Sequence, residues 1–423
     1  MLYKSITIFC SVLLLFSLTN AQLKGSIEAE TEMADPFFFH DVVTYPLETR
    51  DSVEVEIRVK VPFDAIQFLK VEDYFEAKYE LSVLVINDKK QTTFSKIWTQ
   101  TLKTESFQET NSNDLFDVNE INFRALPAKY TITIGVLDLD TRKSKYKKVE
   151  TDIEDIYKKP ISISKITLIE KIVQDPDGSE RGIPSVENAI SDLQKEFHIS
   201  FDILSPGGKG KIEYIIYDMN RKMVFMDKLE KTFPEGISHE IILISKEKLS
   251  FSRYKIVLTV KIGNHEVMSE KTFQLRWQGM SNMIENLDLA IDQLKYLAGS
   301  KEIKVMRKAS KVEKKELFLK FWKKRDPTPN TEENEIMNEY YRRAYFANEN
   351  FSGFQPGWQT DMGMIFILFG APNDIERHPF DTESKPYEIW HYYELNRTFV
   401  FVDESGFGEY RLITPLYDYH GKY

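Results

Sequence analysis

Apolar and polar residues alternate with a period of two along most of the first half of the chain. Short alternating runs such as residues 53–59 and 79–86 lie between turn-forming residues, and this period is typical of strands with one buried face. The clearest run is residues 130–137, which a turn follows at residues 138–142. Because no helical period interrupts these runs, we predict that residues 22–157 form an all-β sandwich of the immunoglobulin-like (Ig-like) kind.

Residues 161–277 continue the alternation and are predicted to form a second Ig-like sandwich. Residues 205–208, with the sequence Ser-Pro-Gly-Gly, indicate a turn between two of its strands. A leucine followed by a tyrosine opens the last hairpin of both regions, which suggests an internal duplication, although unrelated hairpins of ordinary composition would give the same pattern. The two pairs are Leu126/Tyr130 and Leu249/Tyr254.

The period changes from 2 to 3.6 near Ser281, which predicts helices. We expect helices at residues 283–297 and 301–324, and a third helix after residues 326–330, where two prolines break the pattern. Thr331 is the predicted cap of the third helix. Its buried face is predicted to consist of Ile336, Tyr340, Ala344, Ala347 and Phe351.

After Gly353 the pattern is that of strands again, which we predict at residues 364–369, 388–393, 399–402 and 410–413. Residues 281–423 are therefore predicted to form a helical segment followed by a C-terminal α+β domain. The whole chain is expected to be a multidomain protein with two β-sandwich modules before this domain.

The N-terminus resembles a secretory signal peptide. Lys4 precedes the apolar residues 6–18, and small residues at 19–21 make Gln22 the expected first residue of the mature chain. The apolar run is shorter than the roughly 20 residues that a membrane span needs. An uncleaved anchor is the alternative, but no second such run follows, so no transmembrane span is expected after cleavage of residues 1–21.

Charge and cysteine content narrow the choice of compartment and partner. The only cysteine is Cys10, so the mature chain is expected to lack disulfides in an exported, oxidising location. That location is predicted to be the periplasm, the outer membrane or the cell exterior. The net charge of −10 argues against nucleic acid as the partner.

One stretch departs from this acidic average. Residues 301–325 contain eleven Lys or Arg residues and three Glu residues. The stretch is either a solvated helix face or a docking surface for an acidic protein or an anionic lipid.

Residues 357–361, Gly-Trp-Gln-Thr-Asp, resemble the signature of the GWxTD-domain family of exported bacterial proteins. The resemblance covers about residues 320–415, a quarter of the chain, and departs from the family pattern at Met362, Met364 and Ala371. It implies export and this architecture, but no activity, because the biochemical role of the family is uncharacterised. The residues that carry it outside the signature include Trp322, Arg325, Asp326, Arg342, Arg343, Gly370, Pro372 and Trp390.

The residue types of the signature favour a structural role. Gly357 permits a sharp turn or a close approach, Trp358 offers a large apolar surface, and Thr360 and Asp361 can accept hydrogen bonds from nearby backbone N–H groups. The signature would then fasten a loop to the strand predicted from Gly363. The alternative is that Asp361 is a catalytic carboxylate or a ligand beside a Trp platform.

Several other residues also indicate sites. Gly370 and Pro372 indicate a tight turn, and Trp390 belongs either to a binding platform or to a strand buried on both faces. An Arg–carboxylate network could lock the second helix to the third, or the arginines could recognise an anion. The candidate interaction residues are Trp322, Arg325, Asp326, Arg342 and Arg343.

No metal, cofactor or catalytic residue is predicted. Five residues could ligate a metal, but their spacing matches no standard zinc or calcium site, and no HExxH, GxSxG or SxxK motif is present. The five residues are Asp374, Glu376, His378, Asp381 and His391.

The sequence is compatible with three functions. The first is an exported, non-enzymatic envelope scaffold that binds another protein through the C-terminal domain. The second is an envelope hydrolase in which Asp361 works with a second carboxylate such as Glu388 or Asp374. The third is a carbohydrate- or peptide-binding module that uses Trp358, Trp390 and Tyr392. No small-molecule ligand can be named.

Overall fold

The computed structural model describes residues 36–112, 115–174, 180–191, 195–249, 252–276, 280–281, 283–284, 286–329, 334–380 and 384–416. Within these residues no helix is long and apolar enough to cross a membrane. The predicted signal peptide, Thr331 and Asp381 lie outside the described residues. The chain divides into one compact unit of residues 35–278 and a second that contains residues 279–423.

The protein is mostly β, with several sheets and a few helices near the C-terminus. Among the described residues, 52% lie in strands and 19% in helices. The first described strands are β1 (Phe39–Pro46), β2 (Val53–Pro62), β3 (Leu69–Val71), β4 (Tyr74–Asn87), β5 (Thr92–Thr104), β6 (Phe116–Ala125), β7 (Lys129–Asp138) and β8 (Ser144–Asp152).

These strands form two sheets around one hydrophobic cluster. One sheet has the order β1-β2-β6, and the other has the order β3-β4-β7-β8 with β5 paired to β4. Alternate residues of the strands supply the cluster, for example Val55 and Ile57 of β2, Leu81 and Val83 of β4, and Ile134 of β7. In β4 and β7 the alternation in the sequence separates a buried face from a more exposed one, whereas the polar residues Glu56, Arg58 and Lys60 of β2 are buried too.

The next described strands surround a separate hydrophobic cluster that extends from Ile161 to Leu275. Whether residues 22–157 and 161–277 are separate domains stays a prediction, because they belong to one compact unit. The strands are β9 (Ser162–Ile163), β10 (Thr167–Gln174), β11 (Glu180–Pro184), β12 (Ala189–Ser191), β13 (Glu196–Asp218), β14 (Met223–Ser245), β15 (Ser252–Ile262) and β16 (His265–Arg276).

The predicted turn at residues 205–208 is wrong, because β13 continues through it. Gly207 and Gly208 have φ angles of 81° and 122° and let the strand bend without ending. The first half of β13 pairs with β10 and with the second half of β14. The second half of β13 pairs with β15 and with the first half of β14.

The two β regions share one order of strand pairing. The sheets β1-β2-β6 and β5-β4-β7-β8 of the first region correspond to the pairings β10-β13-β14 and β14-β13-β15-β16 of the second. The difference is that β13 and β14 each bend and take part in both sets of pairs.

The second unit combines helices with a small antiparallel sheet of order β17-β18-β19-β20. Its described helices are α1 (Leu287–Gln293), α2 (Ser300–Lys308), α3 (Lys311–Lys323), α4 (Glu335–Phe351) and α5 (Asp361–Phe369). Its strands are β17 (Asp374–His378), β18 (Tyr387–Tyr392), β19 (Arg397–Asp403) and β20 (Tyr410–Leu412).

Three helix boundaries differ from the prediction. The helix predicted at residues 283–297 begins at Leu287, and α1 is followed by a 3₁₀ turn at Leu294–Tyr296. The predicted helix at residues 301–324 is two helices, because Ser310 caps α3: its side chain accepts from the Glu313 N–H, and the Glu313 carboxylate accepts from the Ser310 N–H. Asn334, with its Oδ1 accepting from Met337 N–H at 2.9 Å, caps α4.

The strand predicted at residues 364–369 is wrong, since these residues belong to α5. Ile365, Phe366 and Ile367 are all fully buried, so the helix is apolar around its whole circumference and has no solvated face. A short apolar run of this kind fits a buried strand equally well by periodicity, and the surrounding structure decides between them.

Buried ion pairs connect the two β regions within the first unit. Lys271 Nζ lies 2.5 Å from Asp41 Oδ1, with side-chain exposures of 11% and 7%. Lys60 Nζ lies 2.6 Å from Glu187 Oε1. Removing one charge of such a pair leaves the other buried without compensation.

The Asp41→Asn variant is therefore expected to lower the free energy of unfolding by about 3 kcal/mol. Urea unfolding of the variant and the native chain measures this difference. Glu270→Gln is the matched control, because the Lys255–Glu270 pair is exposed and exposed pairs contribute at most about 1 kcal/mol. Equal losses in the two variants would contradict a buried electrostatic connection.

Candidate functional site

Residues 357–361 connect α4 to α5. Gly357–Gln359 form a single 3₁₀ turn, Thr360 is the N-cap of α5, and Asp361 is the first residue of α5. Thr360 Oγ1 accepts from Gly363 N–H at 3.0 Å and donates to Gly357 O at 2.8 Å. The predicted role of Thr360 in local backbone bonding is present, but the element that it fastens is a helix.

The two glycines of this region allow backbone to pack against backbone. A Cβ atom on Gly357 would overlap the carbonyl of Ala347 in α4, and a Cβ atom on Gly363 would overlap the carbonyl of Gly357. Neither neighbour is a flexible side chain that could move aside. The 3₁₀ turn therefore lies directly on α4, and α5 lies directly on the turn.

Trp358 lies within the unit and is 5% exposed. Its backbone N–H donates to Asn348 Oδ1 at 3.1 Å, and its backbone carbonyl accepts from the Tyr296 hydroxyl at 2.7 Å. Lys295 Nζ lies 5.0 Å from the centre of the indole ring, within cation–π range. Burial lowers the pKa of Lys295, and the nearby Asp361 carboxylate opposes this effect.

Asp361 joins the start of α5 to the sheet. Its Oδ2 accepts from the backbone N–H of Leu412 in β20 at 2.9 Å, and a carboxylate at the first position of a helix is favoured by the helix dipole. Burial, followed by the charge of Asp361, raises the pKa of Tyr296. These contacts make Asp361 a connecting residue between three segments of the unit.

A pocket of about 280 Å³ lies beside the signature. Its apolar lining includes Phe351, Met362, Ile375 and Trp390, and Thr360 of the signature also lines it. Asp361 is not among the described residues that line this pocket.

Charged residues form the other side of the pocket. Glu388 Oε1 accepts from Arg377 Nε at 3.1 Å, and Glu388 Oε2 accepts from the Trp390 indole N–H at 3.1 Å. Arg411 and Glu409 also line the pocket, and their side chains are paired at 3.2 Å. Both oxygens of Glu388 are thus engaged by neighbouring donors.

Three phenylalanines project from loops near one end of the small sheet. Phe354 lines the pocket, Phe380 is in the β17–β18 loop, and Phe407 is in the β19–β20 loop. Their exposures are 84%, 93% and 83%. His378 and Tyr387 pair directly, as do Tyr387 and Val402, so the two loops leave the sheet at the same end.

The Phe407 loop is held by the buried Asp403. Its Oδ1 accepts from the N–H groups of Ser405 at 3.2 Å and Gly406 at 2.9 Å, and its Oδ2 accepts from Gly408 N–H at 2.6 Å. Burial alone would raise the pKa of Asp403, but these bonds to the carboxylate lower it overall. The loop that displays Phe407 is therefore built around an ionised carboxylate.

The structure brings three of the five considered metal-ligating side chains together. One ligand atom each of Asp374, Glu376 and His391 lie within 4.8 Å of one another, on the paired strands β17 and β18. His391 Nε2 is 3.0 Å from Glu376 Oε1. His378 is near Glu376 at 3.9 Å but is not part of this group. The sequence prediction of no metal stays a prediction.

The candidate interaction residues are less accessible to a partner than the sequence predicted. Trp322 is 1% exposed and packs among Phe318, Phe321, Tyr340 and Tyr341, so its side chain is not available to a partner in this fold. Arg325 lies over the ring of Phe321 at 3.7 Å.

The predicted network between the second and third helices takes a different form. Asp326 Oδ1 accepts from Thr328 N–H at 3.0 Å within its own turn. Arg342 and Arg343 both pair with Glu339 of their own helix, at 2.5 Å and 2.6 Å. Arg343 also donates to the carbonyl of Ile367 in α5 at 3.3 Å, which connects α4 with α5.

Gly370, Pro372 and Trp390 occupy structural positions. Gly370 is the C-cap of α5 with a φ of 82°, and its carbonyl accepts from the Tyr392 hydroxyl at 2.8 Å. Pro372 is buried between α5 and β17. Trp390 and Tyr392 are 1% and 3% exposed, whereas Ile389 and His391 on the other face of β18 are only partly buried. The strand is therefore not buried on both faces, and the three proposed platform rings, with Trp358, are all covered.

Sequence reasoning did not single out Phe354, Arg377, Phe407 or Asp403. The exposure of Phe354 could have been expected from the sequence. This aromatic residue lies between Gly353 and Pro356, outside any helix or strand pattern that would predict its burial. The pairing of Arg377 with Glu388 depends on strand register, which the sequence does not specify.

Residues 265–414 match the family model of the GWxTD domain. The chain carries a GWxTD domain. The match begins earlier than the predicted residue 320 and includes β16. No curated protein matches the chain.

Some solved structures are distantly similar to parts of the chain. One is dimeric latent PorU from Porphyromonas gingivalis, with 12% identity and a TM-score of 0.25 over 59% of this chain and 21% of that chain. Another is trypsin-activated alpha-2-macroglobulin from Escherichia coli, with 12% identity and a TM-score of 0.18 over 57% of this chain and 17% of that chain. Parabacteroides merdae β-glucuronidase has 14% identity and a TM-score of 0.20 over 61% and 32%. The TM-scores are too low to bear on fold or function.

The Gly357→Ala variant tests the backbone contact at the start of the GWxTD signature. The added methyl group overlaps the Ala347 carbonyl, so we expect a loss of about 3 kcal/mol in the free energy of unfolding. Chemical denaturation measures the loss. Gly353→Ala is the control, since nothing lies within 4 Å of a Cβ atom there. A Gly357→Ala variant as stable as the control would refute the close contact.

The Asp361→Asn variant tests the connection between α5 and β20. It removes a charge from the helix start and weakens the acceptor for the Leu412 N–H, so a loss of about 1 kcal/mol is expected. Hydrogen exchange of the Leu412 amide is expected to accelerate more than that of Phe401 in β19. Glu409→Gln, which changes a charge nearby, should leave both rates unaltered, and unaltered rates in Asp361→Asn would contradict this role.

Proposed function

We propose that the protein is an exported, non-enzymatic scaffold of the cell envelope that binds another protein through its GWxTD domain. The observation that carries this proposal is the pocket beside the signature, with Phe354 and Phe407 exposed around it. Large apolar side chains that project almost fully into solvent near one concave site favour a contact with a partner.

The chemistry of the pocket suits a segment of protein. Its floor is apolar, and its mouth carries the Arg377–Glu388 and Arg411–Glu409 pairs. An apolar side chain of the partner would enter the floor, while polar groups beside it would bond the charged residues at the mouth. Aromatic and arginine side chains are the types most often responsible for affinity at such interfaces.

The hydrolase alternative gains no support from the described residues. Asp361 bonds the Leu412 N–H and does not line the pocket. Glu388 is held by Arg377 and Trp390, so it offers no unengaged oxygen beside a second carboxylate. A binding platform of Trp358, Trp390 and Tyr392 is likewise disfavoured by the burial of all three.

The preceding β regions are proposed to be Ig-like modules that serve as spacers of the scaffold. The order of pairing supports this, because a three-strand and a four-strand set recur in both regions, as in Ig-like sandwiches. The Tyr130 hydroxyl also donates to the carbonyl of Leu126 four residues upstream at 2.7 Å, an arrangement known from the corner of such domains. The recurrence favours the internal duplication.

Export is part of the proposal and rests on the predicted signal peptide. The proposed location is the periplasm, the outer membrane or the cell exterior. A scaffold in this compartment without a disulfide would depend on its packed cores, and both β regions have one.

Site-specific photo-cross-linking in cells tests the proposed binding site. A benzophenone side chain at position 354 or 407 is expected to give one dominant adduct with another envelope protein, identified by mass spectrometry. The same side chain at Tyr393, which is 64% exposed, is the control and should not give this adduct.

Charge reversal at the mouth of the pocket adds a second readout. Arg411→Glu is expected to reduce the position-354 adduct about tenfold, which corresponds to about 1.4 kcal/mol of binding free energy. Arg397→Glu, at an exposed arginine of β19, should leave it unchanged. Equal adducts at positions 354 and 393, or an adduct insensitive to Arg411→Glu, would contradict the proposal.

A further inference from the structure

The second half of β14, residues 236–245, is an edge of its sheet within the described residues. It pairs with β13 on one side, and no described strand pairs with its other side. Alternate backbone N–H and C=O groups along ten residues therefore point away from the sheet. Such a row is a template for another strand.

The exposed face of this edge is apolar. Ile237, Ile241 and Leu243 are 36%, 47% and 48% exposed, whereas Ile242 and Ile244 on the opposite face are buried. His239, on the exposed face, is paired with Asp202 at 2.6 Å. The buried Glu240 is paired with Lys231 at 2.6 Å. Both charged residues between His239 and Ser245 are therefore paired, and the Glu48 carboxylate lies beside Gly236, outside this stretch.

Comparable edges of the first β region are protected by charge. Strand β6, which takes the corresponding place beside β2, exposes Glu120 and Arg124. The edge strand β5 exposes Lys96 and Lys103. Residues 236–245 contain neither lysine nor proline, the two residue types that most often prevent strand addition at an edge. The second region thus lacks the protection that the first region has.

We propose that two copies of this chain pair along residues 239–245, antiparallel about a two-fold axis at Ile242. In this register Ile241 faces Leu243 of the second copy on the exposed face, and Ile242 faces Ile242 on the buried face. Glu240 faces Ile244, and His239 faces Ser245, so no like charges oppose each other. The sheet then continues across the dimer, and the free backbone groups find partners.

A second copy is the favoured occupant because the segment complements itself on both faces at once. Apolar residues alternate between the two faces at the same period in both copies. A single register therefore places apolar residues opposite each other on the exposed face and on the buried face. A strand from another protein is the competing occupant, which the following experiment distinguishes. The inference is independent of the pocket in the GWxTD domain.

Sedimentation equilibrium of the full chain tests the dimer. The native chain is expected to have twice the 49.6 kDa mass of one chain, and Ile241→Lys is expected to have the mass of one chain. Ile97→Lys is the matched control, because Ile97 is 63% exposed on the charged edge strand β5, and it should remain dimeric. Thermal unfolding of each variant checks that the fold is retained.

Three results would overturn the proposal. One is a native chain that stays monomeric at every concentration up to about 100 μM. Another is a dimer that Ile241→Lys leaves intact. Association through the apolar residues 6–18 would give the native chain and both variants the same mass, because all of them retain these residues. The third is a monomer that binds an added peptide of residues 236–245, which would assign the edge to a foreign strand.

Cysteine pairing tests the register. In a Cys10→Ser background, mixing Ile241→Cys with Leu243→Cys should form an intermolecular disulfide, since directly opposed residues on neighbouring strands have Cβ atoms about 4.5–5.5 Å apart. Either variant alone should form much less, because its two cysteines would be diagonal neighbours at about 7–8 Å. Equal yields would overturn the proposed axis.

Discussion

The contact between the 3₁₀ turn at Gly357 and the carbonyl of Ala347 in α4 sets the geometry of the GWxTD domain. It is a contact between two backbones, so it exists only where a residue has no Cβ atom. Gly363 repeats the arrangement one layer further, where α5 packs on the turn. The positions of α4, the turn and α5 are therefore fixed together, and the remaining residues of the signature reinforce that stack.

Each of these residues joins different segments. Trp358 accepts a hydrogen bond from Tyr296 of the segment after α1, Thr360 caps α5, and Asp361 reaches the backbone of β20. The pocket lies beside this stack, with Thr360 in its lining and Trp390 in its floor. A signature that looks like a candidate for catalysis is thus a connection between helices and sheet, and the surface that it supports carries the features expected of a binding site.

The long alternating strands and the helix α4 could be predicted from the sequence, because their periods continue over many residues. Residues 130–137 and the buried face at Tyr340, Ala344 and Ala347 are examples. Helix α5 could not, since Ile365–Leu368 is apolar at every position and only its neighbours decide its form. Residues 205–208 have backbone angles typical of a turn, as their sequence indicates, but β13 bends there and does not end.

Parts of the candidate site could be predicted because they depend on contacts between residues that are close in the sequence. The structural preference of Thr360 and Asp361 follows from side chains that bond backbone groups nearby, and the structure contains such bonds. The partner of Asp361 is 51 residues away in the chain, and the pairing of Arg377 with Glu388 depends on strand register. Such distant contacts are set by packing, which no local pattern encodes.

We propose that the GWxTD signature supports a binding surface and does not itself act on a substrate. The most direct measurement is the yield of the position-354 cross-link in an Asp361→Asn chain, taken at a temperature well below its unfolding midpoint. A supporting role predicts a yield close to that of the native chain once the fold is intact. Loss of the cross-link in a folded Asp361→Asn chain would show that the carboxylate takes part in the interaction itself and would contradict the account.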